Sequence, residues 1–291
     1  MSTPQDWGAE QVRERWPVPP SDADKYSRGV VGVVAGSDAY PGAAALVVSG
    51  AIRAGAGMVR YVGPARAQDL VLSHRPECVV HDPGDAAESL PRAQAWVVGP
   101  GVADHPIQDA AIGAVMASGL PMVVDAGALE EVARSRASGS RDAPSDRVLL
   151  TPHAEELMRT LEALRHDATI LDIAADRAGH ARLLAETARA TVLLKGARTL
   201  IASPGGHVLE LPSAPPWLAT AGSGDVLAGI AGALLAAGLT AADAGACAAW
   251  AHARAAESAN RGGPVAALDV AQALPHVIAA LLGSPSRPSS E

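Results

Sequence analysis

The chain has 291 residues, 48% of them hydrophobic and 19% charged, which is the ordinary globular range and enough for a sizeable core. Aromatic residues make up only 3% and Phe is absent, so that core must be built from Ala, Val, Leu and Ile, packed closely through small residues. A net charge of −8 argues against general binding to nucleic acid or to an anionic membrane, because both need basic surface.

Residues 1–24 are polar and Pro-rich and read as a loosely ordered segment, and MSTPQDWGAE lacks the basic-then-apolar order of a signal peptide. From there strand and helix alternate. Short runs rich in β-branched residues at 29–35 (GVVGVVA), 58–62, 95–98, 122–124, 148–150 and 191–194 suit strands buried on both faces of a sheet. Helical patterns intervene at 43–56, 107–118, 155–165 and 171–189. The scattered basic residues of SRASGSRDAPSDR, at 135–147, read as a loop. Residues 199–211 (TLIASPGGHVLEL) place two strand-like runs around Ser-Pro-Gly-Gly and predict a β-hairpin. Three helices follow at 225–237, 241–259 and 268–282, and the tail 283–291 is expected to be disordered. No composition break interrupts residues 25–282, which read as a single α/β domain with a mostly parallel sheet flanked by helices. The uncharged run after Asp225 falls short of a membrane span, and Cys78 and Cys247 lack metal-ligand spacing. A soluble, reduced, cytoplasmic chain is therefore expected.

Ligands of open parallel sheets bind outside the carboxyl ends of the strands. The residues just past the predicted strands are Gly36-Ser37, Gly99-Pro100-Gly101, Asp125, Thr151-Pro152-His153 and Lys195-Gly196. Most have an ordinary alternative: the glycines could simply turn, Asp125 could cap a helix at 127–134, and His153 could cap the next one. Lys195 differs, because a cation at the end of an apolar strand, followed by Gly, suits a phosphate better than a core position. Asp225, within WLATAGSGDVLAGIAGALLAAGL, stands at a helix start. There the helix dipole is expected to lower its pKa and keep it ionised, beside Ser223 and Gly224 N–H groups that could face a phosphoryl group. An ionised acid within reach of a substrate hydroxyl can take its proton during phosphoryl transfer.

The run ATAGSGDVLAGIAGALLAAGL resembles the G-T/S-G-D signature of the ribokinase-like superfamily. GSDAYPGAAALVVSGAIRAGAG (36–57), Pro76-Glu77, VVGPGV (97–102), VVDAGAL (123–129), LLTPHAEEL (149–157) and LLKGARTLIA (193–202) follow in the order of the ADP-dependent NAD(P)H-hydrate dehydratases, from about Gly29 to Pro275. The resemblance implies a ribokinase-like three-layer sandwich. It also implies a repair reaction in which (6S)-NADHX or (6S)-NADPHX loses water to regenerate the dihydronicotinamide cofactor. ADP or ATP drives that reaction, with magnesium bridging nucleotide oxygens. Carried across by position, Ala43, Gly101 and His153 match contacts to the hydrated nicotinamide. Lys195, Gly196, Ala197, Arg198, Thr199 and Gly224 match the nucleotide-binding positions, and Asp225 matches the acid that activates the substrate hydroxyl. No residue is assigned as a metal ligand.

The resemblance further implies a homo-oligomer, often a homotetramer, working beside a separate epimerase. Three segments depart from the family pattern. Tyr40-Pro41-Gly42 stands where a Thr-Gly or Ser-Gly step after the tyrosine is usual, Gly127 stands where a second acid is usual, and Ala214-Pro215-Pro216-Trp217 leads into the acid loop. Two other readings of these residues stay open: an alcohol kinase of the same superfamily, in which phosphate stays on the product, and a nucleotide-binding protein without turnover.

Overall fold

The computed structural model of the chain describes residues 5–103, 106–139 and 145–283. β1 (Gln5–Asp6), α1 (Ala9–Arg15), β2 (Val30–Val34), α2 (Pro41–Arg53), β3 (Met58–Val62), α3 (Ala65–His74), β4 (Val79–His81) and α4 (Pro83–Glu88) come first. β5 (Ala95–Val98), α5 (Pro106–Ala117), β6 (Met122–Val124), α6 (Leu129–Ala137), β7 (Val148–Leu150), α7 (Ala154–Ala163), α8 (Ile170–Ala175), α9 (Arg177–Ala188) and β8 (Thr191–Leu194) follow. β9 (Leu200–Ala202), β10 (Val208–Glu210), α10 (Ser223–Ala236), α11 (Ala241–Ala259) and α12 (Ala267–Leu282) complete the order.

All of these strands join one 10-stranded sheet in the order β1-β10-β9-β8-β7-β6-β5-β2-β3-β4. Only β9 runs against its neighbours, pairing antiparallel with β8 and with β10 to form the expected hairpin. The central strands are apolar at successive positions because each face meets its own helical layer. Val31, Val33, Val97, Val123, Leu149 and Leu193 point into a core shared with α2, α10, α11 and α12. Val34, Trp96, Val98, Val124, Leu150 and Leu194 point into the opposite core, shared with α5, α6, α7 and α9. Helix, sheet and helix therefore form the three layers of a ribokinase-like sandwich.

α10 is the central element of the first layer. Every residue from Val226 to Ala236 is buried, which explains why the helix carries no charge after Asp225. Glycines let it approach its neighbours at backbone distance. A Cβ at Gly229 would lie 2.1 Å from the Val47 carbonyl oxygen, and one at Gly50 would lie 2.4 Å from that of Val226. The expectation of small-residue packing holds here in its strongest form.

Several elements differ from the sequence reading. Residues 1–24 are not uniformly loose: β1 pairs with β10, and Trp7, Val12 and Trp16 around α1 are buried. These three apolar side chains anchor an otherwise polar segment. The helix expected at 171–189 is two helices, because the Asp176 carboxylate accepts from the Gly179 amide at 2.8 Å and starts α9 afresh. α3, β4 and α4 fill the stretch between β3 and β5, to which the sequence pattern assigns no element. α6 extends to Ala137, so the expected loop at 135–147 begins as helix, and its residues 140–144 lie outside the described part. The expected disordered tail also lies outside it from residue 284. Cys78 and Cys247 are free and buried. Among the described residues no helix is long and apolar enough to cross a membrane.

Trp16 tests whether the N-terminal segment belongs to the core. Trp16→Ala should lower unfolding free energy by roughly 3 kcal/mol, the usual scale for deleting a buried aromatic. A urea melt superimposable on that of the unaltered protein would show the segment to be detached.

Candidate active site

The sheet order reverses beside β2, which has β3 on one side and β5 on the other. Such a switch point opens a crevice at the strands' carboxyl ends. Gly36 follows β2 with φ +71° and donates its amide to the Pro100 carbonyl at 2.7 Å, joining the turns after β2 and β5. Gln108, itself buried, donates to the Gly36 carbonyl at 2.7 Å and secures that turn from α5. Gly101 has φ +63°, and a Cβ there would come within 2.5 Å of Ala43 Cβ. Ala43 and Gly101, assigned separately by resemblance, thus meet on the crevice wall. The unusual Tyr40-Pro41-Gly42 causes no disruption, because Pro41 and Gly42 form the first turn of α2, where proline is well tolerated.

Three adjacent strands, β6, β7 and β8, bring a second group together. Asp125 follows β6, His153 and Glu156 follow β7, and Lys195 follows β8. Lys195 Nζ donates to Asp125 Oδ1 at 2.8 Å and approaches Glu156 Oε2 at 3.4 Å. Burial alone would lower the Lys195 pKa, but the Asp125 and Glu156 carboxylates outweigh it and raise it above the usual lysine value. Lys195 is thus a firmly protonated cation, although not the free one that its place in the sequence suggested. Any phosphate must share it with two carboxylates.

His153 is the N-cap of α7. The Glu156 carboxylate accepts from the His153 amide at 2.8 Å, and His153 Nδ1 accepts from the Glu156 amide at 3.4 Å. Capping and site-building are therefore one arrangement, with Glu156 connecting the imidazole to Lys195. The sequence reading gave Glu156 no role, although the spacing His-x-x-Glu before an apolar run carried the capping signal. Asp125 uses its carboxylate on Lys195 and makes no side-chain cap.

Gly222, with φ +82°, is the N-cap of α10 and has no side chain with which to cap the helix. The Ser223 amide is engaged, donating to the Thr220 carbonyl at 3.3 Å, and the Val226 amide donates to the Gly222 carbonyl at 3.3 Å. Among the described residues the Gly224 and Asp225 amides have no acceptor. The open donors are therefore those of Gly224 and Asp225, rather than of Ser223 and Gly224. A Cβ at Gly224 would sit 3.5 Å from Lys195 Nζ and 3.8 Å from Asp125 Oδ2, so the ion pair lies directly over this turn.

Asp225 is not held in the easily ionised state expected from the helix dipole. Burial pushes its pKa from 3.8 up to about 7, with the Asp125 and Glu156 charges adding to the rise and Lys195 opposing it. The dipole acts over one turn and is outweighed by desolvation and like charge. Behind the same turn lies His252 of α11, a buried imidazole whose Nε2 has no partner among the described residues. Burial pushes its pKa down to about 4, with the Lys195 charge adding to the fall, so it is neutral at physiological pH.

Gly196, Ala197 and Arg198 form an exposed loop after β8. Arg177 straps it, donating to the carbonyls of Arg198 at 2.8 Å and Lys195 at 3.3 Å. Gly196 is required for this strap, because a Cβ there would lie 2.4 Å from Arg177 Nη2. Arg198 pairs with Glu210 of β10, and the Thr199 carbonyl accepts from the Leu211 amide at 3.0 Å, so the segment runs directly into the hairpin.

Asp225 makes a prediction about stability. Its pKa is higher in the folded than in the unfolded state, so its favourable contribution is full below pH 3.8 and is lost as pH rises through about 7. Above that pH a buried carboxylate remains charged at a cost. Asp225→Asn, in metal-free buffer, should therefore raise Tm by several degrees at pH 8 and by clearly less at pH 5. His252 titrates in both proteins and cancels in the difference. An equal Tm gain at both pH values would contradict the assigned shift.

Residues 31–276 match the sequence-family model of NAD(P)H-hydrate dehydratases. The chain is 47% identical over 239 residues to the bifunctional NAD(P)H-hydrate repair enzyme Nnr of Mycobacterium tuberculosis (strain ATCC 25618 / H37Rv), covering 82% of this chain and 47% of that protein. It is 34% identical over 255 residues to the ADP-dependent (S)-NAD(P)H-hydrate dehydratase of Neisseria meningitidis serogroup B, covering 84% of this chain and 82% of that one. The ADP/ATP-dependent NAD(P)H-hydrate dehydratase of Bacillus subtilis, co-crystallized with ATP/Mg2+, has a similar structure. Its TM-score is 0.85 at 28% identity, covering 97% of this chain and 99% of that chain. The chain spans about half the length of the mycobacterial relatives it matches. A match across residues 31–276, on a sheet that gathers the matched strand-end residues at one edge, shows that the chain belongs to the NAD(P)H-hydrate dehydratase family.

Proposed function

We propose that the protein dehydrates (6S)-NAD(P)HX to NAD(P)H at the expense of ADP or ATP. The observation that carries this reading is the Asp225 carboxyl, whose pKa of about 7 matches a general base at neutral pH, beside the open amides of Gly224 and Asp225. Hydroxide is a poor leaving group, so water cannot be lost directly with ease. Asp225 takes the proton from the substrate hydroxyl as its oxygen attacks the terminal phosphorus of the nucleotide. The phosphoryl group is thereby transferred and AMP departs when the nucleotide is ADP. Phosphate then leaves the substrate while the adjacent ring carbon gives up a proton to water, and the C–H electron pair forms the double bond that restores the dihydronicotinamide ring. Lys195 and the α10 amides stabilise the charge on the phosphoryl oxygens in transit. Ala43, Gly101 and His153 hold the hydrated nicotinamide in the crevice, and the 195–199 loop with Gly224 holds the nucleotide.

Among the described residues no set of three His, Cys, Asp or Glu side chains is arranged to hold a metal ion by itself. Asp125, Glu156 and Asp225 nevertheless place three oxygen-bearing acids around a single lysine. That donor set suits magnesium, which commonly takes one or two carboxylates and completes its shell with phosphate oxygens and water. Asp125 would face such an ion, which would neutralise charge on the nucleotide, while Asp225 stays free as the base. The same reading includes residues 25–282 as one domain, a homotetramer in the cytoplasm, and a partner epimerase. The bifunctional name of the mycobacterial relative supports a second repair activity alongside this one.

The direct test is incubation with NADHX, ADP and magnesium, following the return of dihydronicotinamide absorbance. NADH, AMP and phosphate are expected in equal amounts. A stable phosphorylated product from a panel of alcohols would favour a kinase instead, and tight nucleotide binding without turnover would favour a non-catalytic binder. Asp225→Asn should lower turnover by about two to four orders of magnitude, the usual range for loss of a general base, while nucleotide affinity stays within a few-fold. Turnover like that of the unaltered protein would remove Asp225 from the mechanism.

A further inference from the structure

Trp217 is a large apolar side chain that the core does not use: it is 52% exposed in a protein with very few aromatic residues. It stands in a short 3-10 turn, Pro216–Leu218, immediately before the α10 N-terminus. Its backbone is fixed nonetheless. Pro215 and Pro216 restrict φ, and the Leu218, Ala219 and Thr220 amides donate to the Pro215, Pro216 and Leu218 carbonyls at 3.0, 3.1 and 2.8 Å. Together with Pro216, Ala219, Thr220, Pro264 and Val265 it lines an open groove of ≈ 540 Å³. The facing wall is also held in place, because the Asn260 side-chain Nδ2 donates to the Pro264 carbonyl. An exposed aromatic mounted on a rigid turn and facing two prolines is a stacking surface.

Two connections join this groove to the phosphate-binding end of the site. The Ala214 amide donates to the Ala197 carbonyl at 2.9 Å, tying the turn that carries Trp217 to the 195–199 loop. On the other wall, Val265 is followed closely by Ala267, whose Cβ would lie 3.3 Å from a Cβ at Gly222. The groove therefore opens beside the unpaired amides of α10. A second depression, an apolar one of ≈ 420 Å³, includes Ala233, Leu234 and Ala237 in its lining and so lies at the opposite end of α10. A helix of 14 residues is about 20 Å long, which is too far for one nucleotide to reach both ends. Ala43 and Gly101 lie at the β2–β5 crevice, away from the β8 loop to which the Trp217 turn is tied.

We propose that Trp217 is the platform on which the base of the nucleotide co-substrate stacks, with Pro216, Pro264 and Val265 enclosing it. The inference rests on the functional reading above and names a residue within it. The Thr220 hydroxyl and the Trp217 indole N–H are the polar side-chain groups of the lining, so stacking rather than a set of side-chain hydrogen bonds supplies most of the base's affinity. The Pro-Pro-Trp departure from the family pattern then builds a surface.

Calorimetric titration with ADP and with pyrophosphate, which carries no base, tests the proposal. Stacking of a base is worth about 1–3 kcal/mol, so Trp217→Ala should weaken ADP binding by roughly 5- to 150-fold while changing pyrophosphate binding by less than about twofold. Trp217→Phe should recover most of the lost affinity. In the unaltered protein, ADP but not pyrophosphate should protect the exposed tryptophan fluorescence from acrylamide, a readout that needs no variant. Equal losses for both ligands, or ADP affinity unchanged in Trp217→Ala with NADHX dehydration intact, would overturn the platform alone. Absence of ADP binding by the unaltered protein would overturn the functional reading and this inference with it.

Discussion

The site depends on how closely α10 can lie against α2. Gly50 meets the Val226 carbonyl and Gly229 meets that of Val47, while a Cβ at Gly222 would collide with Leu46 Cδ1 at 2.4 Å. Gly232 does the same toward the sheet, where a Cβ would lie 2.3 Å from Val97 Cγ2. Interiors this dense do not absorb an added methyl without moving a backbone. The packing fixes α10 along its length and delivers its N-terminus to the carboxyl edge of the sheet. There its free amides meet Lys195 and Asp125, and the start of α2 brings Ala43 to Gly101. An alanine-rich, Phe-free core is therefore part of how the site is positioned.

Electrostatics at that edge run against stability. Asp125, Glu156 and Asp225 surround one lysine, and the acid left without a direct partner is Asp225. Its raised pKa follows from this shortage of cations. A second lysine there would ionise Asp225 fully and make it a weaker base, since basicity falls with pKa. The cluster is destabilised in the way expected where a protein keeps a carboxyl basic at neutral pH. His252 contributes by remaining neutral: a protonated imidazole behind Ser223 would add the positive charge that the cluster lacks.

Much of this could be read from the chain itself. The strands at 95–98, 122–124, 148–150 and 191–194 match their observed limits because strands buried on both faces are almost wholly apolar, and β3 at 58–62 matches although Arg60 interrupts it and it is only partly buried. β4 escaped notice because it is a three-residue edge strand whose Val79 is exposed. α1 escaped because AEQVRER is polar apart from Val12, and the side chains that dock it, Trp7 and Trp16, flank the helix. Gly101, Asp125, His153 and Lys195 stand out in sequence by their positions after strands, Asp225 by its helix start, and Ala43 and Gly224 only by the resemblance. Their partners do not, since the Asp125–Lys195 contact depends on β6, β7 and β8 being neighbours, a property of the sheet. The sign of the Asp225 shift was missed for the same reason: a helix start is visible in sequence, whereas the carboxylates brought near it are not.

The three departures from the family pattern now have separate physical explanations. Pro41-Gly42 becomes the first turn of α2 and leaves Ala43 in place. At 127 a second acid is disfavoured sterically, since even a Cβ would come within 2.9 Å of the Val102 carbonyl, and a second acid reaches Lys195 instead from Glu156, in the first turn of α7 after the neighbouring strand. Neither change displaces Ala43, Lys195 or Asp225 from the crevice edge. Pro215-Pro216-Trp217 is different, because it places an exposed aromatic where the fold does not need one. A turn stiffened by two prolines orders little on binding, so a base stacked on it would lose less entropy than one on a glycine-rich loop. A base bound there would cover apolar surface that the fold leaves in water, and the open amides of α10 lie close enough for the phosphates of the same ligand to reach them.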